Sequence, residues 1–125
     1  MGKYVIKPAK SGGFSFSLKA GNGEVIGTSE VYTTLDAAKN GCASVGKNAL
    51  KANLEDQTVE GFEQQKHPKF QIYLDKAGEF RFRLLASNGE NVLRSEGYTT
   101  KAGCKNDISS VVRNAESDVT VQEEA

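Results

Sequence analysis

The chain has one histidine, two cysteines and no net charge in 125 residues. Each scarcity excludes something. Nucleophilic catalysis needs a nucleophile, a base and an orienting group within hydrogen-bond reach, and the single histidine, His67, stands before Pro68 in a polar connecting stretch. Paired Cys or His residues at the spacing of a zinc site are missing. No apolar run approaches the roughly 20 residues of a membrane span, and the opening MGKYVIKPAK lacks the apolar core of a signal peptide. Gly2 invites a myristoylation reading, but Ile6 occupies the place where that motif needs Ser or Thr. The expectation is a cytoplasmic protein with no membrane partner, no metal and no cofactor, in a compartment where a disulfide is not expected.

The zero balance hides an uneven distribution. Lys3 to Ala49 and Lys69 to Ala115 each carry +3, whereas the connector Leu50 to Pro68 carries −2 and the tail Glu116 to Ala125 carries −4. Acidic extensions beside basic bodies suggest that the extensions lie against the bodies, an internal use of charge.

What the chain does have is a duplication. A shift of 66 positions aligns Lys3–Ala49 with Lys69–Ala115 without a gap, and nearly half the pairs are identical. FSFSLKAGNGEVIGTSEVYTT in the first copy answers FRFRLLASNGENVLRSEGYTT in the second. Phe80, Phe82, Leu84 and Ala86 alternate with Arg81, Arg83 and Leu85, the period of a half-buried strand; Phe14, Phe16, Leu18 and Ala20 repeat the apolar face. Asn22-Gly23 and Asn88-Gly89 predict type I′ hairpin turns, with both residues at positive φ. The same glycines precede a strand, so they form no phosphate cradle, which needs a helix behind it.

After Tyr32 and Tyr98 the apolar spacing becomes helical, with Thr34 and Thr100 as N-caps. Asn48 and Asn114 suit left-handed caps at the helix ends. Beyond the helices, Asp56–Val59 matches Asp118–Val121 if the first copy holds four inserted residues, which predicts a fourth strand in each unit. Cys42 and Cys104 align with Ile108 and Ala38 on the inward helix face, so both thiols read as small buried hydrophobes.

Each unit is therefore β3-α-β, with residues 1–60 as the first, 61–68 as linker and 69–125 as the second. One helix covers a four-stranded sheet poorly, so two units sharing one sheet bury more apolar area. The expected fold class is α+β: one antiparallel-rich sheet, two helices on one face, a pseudo-dimeric monomer.

Units of the form F-x-I-Y-x-D-x-x-G-E-F-R-F-R-L-x-A-x-N-G-E, then S-E-G-Y-T-T-K-A and a helix ending in N-A, resemble the YegP-like family of uncharacterised small bacterial proteins. The second copy matches almost throughout, from Phe70 to Ala115; the first departs at Lys7, Ser15, Ser17 and Val31. The resemblance implies tandem units in one sheet with their final strands exchanged, and it implies no activity.

The outer sheet face offers the one binding constellation. Tyr73, Arg81 and Arg83 share it with Lys19 and, as a further candidate, Arg94, an aromatic and cations on an open sheet. The expected function is a non-enzymatic structural or interaction module binding a protein or small ligand. The alternative is a weak single-stranded nucleic-acid binder.

Overall fold

A computed structural model describes residues 2–121. The chain runs β1 (Lys3–Pro8), β2 (Phe14–Lys19), β3 (Val25–Thr28), α1 (Leu35–Ala49), β4 (Asn53–Asp56), β5 (Lys69–Leu74), β6 (Phe80–Leu85), β7 (Asn91–Arg94), α2 (Lys101–Asn114) and β8 (Asp118–Val121). Alternation sets the strand faces as expected: Phe16, Leu18, Phe82 and Leu84 are buried, whereas Ser15, Ser17, Arg81 and Arg83 look out from the other side.

The hairpins reverse by a different turn from the one expected. Among the described residues positive φ occurs at glycine alone, so Asn22 and Asn88 cannot open a type I′ turn. Gly23 N–H donates to Ala20 O at 2.9 Å and Ala20 N–H donates to Glu24 O at 2.9 Å, which makes a three-residue loop closed by left-handed Gly23. Asn22 Oδ1 accepts from Glu24 N–H at 3.0 Å, so the asparagine caps a backbone donor and leaves the unusual φ to its neighbour. Ala86 to Glu90 repeat the arrangement.

Thr34 and Thr100 are the N-caps, accepting from Ala37 N–H and Gly103 N–H at 3.0 Å each. The asparagines at the other ends are not left-handed caps. The α1 cap is right-handed Leu50, and Asn48 lies buried within the helix. Its Nδ2 donates to Ser44 O at 2.8 Å while its Oδ1 accepts from Ser87 Oγ at 3.0 Å, tying α1 to the β6–β7 turn of the other unit.

The fourth strand is also displaced from its expected position. Asn53 pairs with Lys69 as Asp118 pairs with Lys3, so β4 and β8 are sisters 65 residues apart. The Asp56–Val59 match fails because Asp56 ends the strand and turns away, its Oδ1 accepting from Thr58 N–H at 3.0 Å.

All eight strands form one sheet in the order β4-β5-β6-β7-β3-β2-β1-β8. Only the outermost pairs, β4 with β5 and β1 with β8, are parallel. Each unit gives its last strand to the other unit's edge, the exchange that the resemblance implied. The units meet where Thr28 faces Arg94 across antiparallel β3 and β7, and those two residues are themselves sisters. Both helices pack on the same face, each reaching strands of both units, and one continuous core results.

The acidic connector does turn its charge inward. Glu55 and Asp56 pair with Lys69 and Lys101 of the second unit, at 2.7 and 2.9 Å. The acidic residues beyond Val121 lie outside the described residues.

Candidate functional site

Antiparallel pairing of β5 with β6 places Tyr73 opposite Arg81 and Gln71 opposite Arg83 on the outer face. Three of the four residues expected there, Tyr73, Arg81 and Arg83, do come together. The fourth does not: Lys19 pairs with Lys3 and Val25 on β2. Two strands intervene between β2 and β6, so the strand of Lys19 lies about 14 Å from β6 across the sheet and farther still from Tyr73 on β5.

Each arginine is held differently. Arg81 Nε donates to Asp75 Oδ2 at 2.6 Å and its Nη1 donates to Ser95 O at 3.2 Å. The hydrogen bond from Arg81 holds the Asp75 carboxyl below its ordinary range. Arg83 Nε donates to Gln71 Oε1 at 2.6 Å, and its guanidinium carbon sits 4.5 Å from the centre of the Tyr73 ring.

Gln71 passes the restraint to a buried carboxylate that the sequence reading did not find. Its Nε2 donates to Glu55 Oε2 at 2.8 Å, and Gln57 Nε2 donates to the same oxygen at 2.7 Å. Glu55 Oε1 accepts from Lys69 Nζ at 2.7 Å and from Gln65 N–H at 2.8 Å. Burial alone would raise the Glu55 carboxyl, but these donors, Lys69 foremost, hold it down at about 2. Glu55 is 1% exposed, enclosed by β4, β5 and the connector residues Gln57 and Gln65 at the end of the Arg83–Gln71 row. One signal could have found it: Gln71 shares a strand face with Tyr73, and the corrected β4 register puts Glu55 next to Gln71.

Arg94 completes the row. It stands directly opposite Arg83 on β7 and opposite Thr28 on β3. A cleft of about 290 Å³ adjoins it, lined by Arg81, Thr28, Gly27, Ser95 and Glu96.

The helix side carries two further grooves related by the pseudo-two-fold. One, of about 400 Å³, lies between α1 and the turn Ala86-Ser87-Asn88; the other, of about 500 Å³, lies between α2 and Ala20-Gly21-Asn22. Asn40, Ser44 and Lys47 line the first where Asn106, Ser110 and Arg113 line the second, which also holds Glu24 and Asp107.

The thiols take no part in any of these sites. Burial pushes Cys42 up to about 12 and Cys104 up to about 11, which removes the thiolate that nucleophilic chemistry requires. Among the described residues no three His, Cys, Asp or Glu side chains converge to hold a metal. No helix among them is long and apolar enough to cross a membrane.

Comparison with known proteins returns the same duplication. The family described as Domain of unknown function (DUF1508) matches twice, at residues 9–56 and 75–122. A UPF0339 protein of Mannheimia succiniciproducens is 42% identical over 92% of this chain and 88% of its own length. UPF0339 protein YegP of Yersinia pestis is 38% identical over 95% of this chain and 93% of its own. A UPF0339 protein of Agrobacterium fabrum is 57% identical over 38% of this chain but 76% of itself, so that relative is half as long. Among solved structures, the solution structure of yegP from E. coli, a protein of unknown function, superposes with a TM-score of 0.79 at 30% identity. It covers 99% of this chain and 95% of that one.

Proposed function

This chain belongs to the family described as Domain of unknown function (DUF1508), whose description states no activity, and we propose that it is a non-enzymatic interaction module of the bacterial cytoplasm. Its binding surface is the outer sheet face of the second unit.

One observation carries this reading. The buried carboxylate Glu55 fixes Gln71, and Gln71 in turn orients Arg83 against the Tyr73 ring, although nothing in the shared fold needs this chain of contacts. The sister positions of the same sheet hold Ser17, Val5 and Lys7, and that half forms its strands equally well. A rigid, partly exposed platform loses little conformational entropy when a partner arrives. In the helix-side grooves Asn48 holds Ser87 and Tyr98 holds Asp107, but among the described residues neither groove sets a guanidinium against an aromatic ring.

A second reading is single-stranded nucleic-acid binding, favoured by the row of cations, Arg83 beside Arg94, on an open sheet.

The experiment compares the proteins captured from a bacterial lysate by the wild type and by the Arg81→Ser/Arg83→Ser variant, which copies the first unit. A partner retained by the former and lost by the latter is the expected result. Identical captures would remove the face from consideration. Labelled single-stranded RNA and DNA, titrated in parallel, favour the second reading if binding falls steeply with salt and vanishes in the variant.

A further inference from the structure

The face proposed above contains one arrangement that costs stability, and that cost points to the chemistry of the partner. Arg83 and Arg94 stand directly opposite each other on β6 and β7 with both side chains outward. Like charges in that relation repel and destabilise the pair. The fold does not require them, since the sister pair across β2 and β3 is Ser17 and Thr28.

Neither guanidinium is neutralised. Among the described residues the ion pairs are Lys69–Glu55, Arg81–Asp75 and Lys101–Asp56, so no carboxylate pairs with Arg83 or Arg94. Arg83 is oriented by its Nε bond to Gln71 and by the Tyr73 ring, and among the described residues neither of its Nη groups has a hydrogen-bond partner. Glu96 is the carboxylate that lines the adjoining cleft, and it makes no ion pair with Arg94.

Resting on the interaction reading, we propose that Arg83 and Arg94 are the docking point for a carboxylate-rich segment of a protein partner. A guanidinium fork matches a carboxylate through two parallel hydrogen bonds. Two forks on neighbouring strands, about 5 Å apart, receive two acidic side chains and relieve their own repulsion as they do so. Charge complementarity alone would also admit a nucleic acid, but base stacking would not follow. Arg83 already covers one face of Tyr73, and the row continues into Thr28 and Ser17 instead of another aromatic.

The test uses the full chain and three fluorescein-labelled probes: a short peptide of alternating Glu and Ala, the same peptide with Gln for Glu, and an oligothymidylate of matching charge. Anisotropy is followed at low and at high salt. The Glu peptide binds saturably, its affinity falls with salt, and the Gln peptide does not bind. Arg83→Ser/Arg94→Thr weakens the Glu peptide by about tenfold or more, whereas Lys19→Ser leaves it unchanged. The double variant melts no lower than wild type, so lost binding is not lost folding.

Equal binding by the Gln peptide, equal binding by the double variant, or tighter binding of the oligothymidylate overturns the carboxylate assignment. Silence from every probe also overturns it. If the probes are silent while lysate capture still depends on the arginines, the interaction reading stands and only the assignment falls. If capture is indifferent too, both fall.

Discussion

Gly27 and Leu93 occupy sister positions on β3 and β7, beside the pseudo-two-fold, and the leucine fills the space that a side chain at the glycine would need. A Cβ built on Gly27 would lie 2.7 Å from Leu93 Cγ and 2.8 Å from its Cδ2. One large residue fits at this axis. A chain made of two identical units would have to place two of one kind there.

Gly27→Leu therefore overpacks the junction and costs about 1–3 kcal/mol or more. Leu93→Gly empties it and costs at least the roughly 2–5 kcal/mol typical of a large buried truncation. The exchange Gly27→Leu/Leu93→Gly recovers much of the loss, because it moves the side chain across the axis without changing its volume. Urea unfolding of the three variants checks this, and a double variant as weak as the sum of the singles would refute the shared-space account.

The buried hydroxyls make a second prediction. Ser95 Oγ accepts from Phe82 N–H at 2.9 Å and donates to Glu96 O at 2.8 Å, and Ser29 does the same for Phe16 N–H and Glu30 O. Either serine changed to alanine leaves a buried backbone N–H without an acceptor and costs about 1–3 kcal/mol. The corresponding amide, Phe82 or Phe16, gains the larger rise in hydrogen-exchange rate, and uniform loss of protection across the sheet would contradict a local cause.

Glu55 makes stability depend on acid. Its carboxyl titrates at about 2 in the folded chain, below the ordinary 4.5, so the unfolded chain binds more protons between those values. The stabilisation is fully present above about pH 4.5 and is lost as pH falls toward about 2. Urea midpoints measured from neutrality down to about pH 3 fall accordingly, and Glu55→Gln flattens that decline. Glu55→Ala at neutral pH strands the Lys69 ammonium, 8% exposed, and costs about 3–5 kcal/mol.

Opposite faces of one strand should respond differently. Phe82 is fully buried, between Phe70 edge-on and Tyr98 stacked on it, so Phe82→Ala costs about 3–5 kcal/mol. Arg81 lies on the outer face in a partly exposed ion pair, and Arg81→Ser costs no more than about 1 kcal/mol. Thermal unfolding with equal shifts for the two would mean that the strand faces are reversed.

Much of this architecture was legible because repetition tests every local reading twice. Strand faces, helix starts and the inward helix positions that hold Cys42 and Cys104, apolar again at Ile108 and Ala38, each appear in both copies, and an error in one copy conflicts with the other. The failures lie where identity of sequence leaves more than one geometry. Asn-Gly suits a type I′ turn or a capped loop, and the choice depends on whether the asparagine side chain takes the Glu24 or Glu90 amide. Asn48 reads as a cap until the other unit's Ser87 is brought beside it, a contact between residues 39 apart.

The outer sheet face was legible as a strand pattern, which placed Tyr73, Arg81 and Arg83 together on it. Lys19 was grouped with them because both lie outward, and the strand order, which separates them, is not written in either strand. Glu55 was missed for a related reason: its burial comes from pairing with a strand of the second unit. Long-range pairing of this kind leaves no local period to read.

The exchange of β4 and β8 has a further effect on how the protein assembles. Each edge of the sheet closes only when the other half of the same polypeptide supplies it, and the tether keeps that half always at hand. Completing the sheet within one chain predicts a first-order event, with an unfolding midpoint that does not move with dilution. Fusion also releases the two halves from obligatory sameness, so one can keep serines where the other acquires arginines.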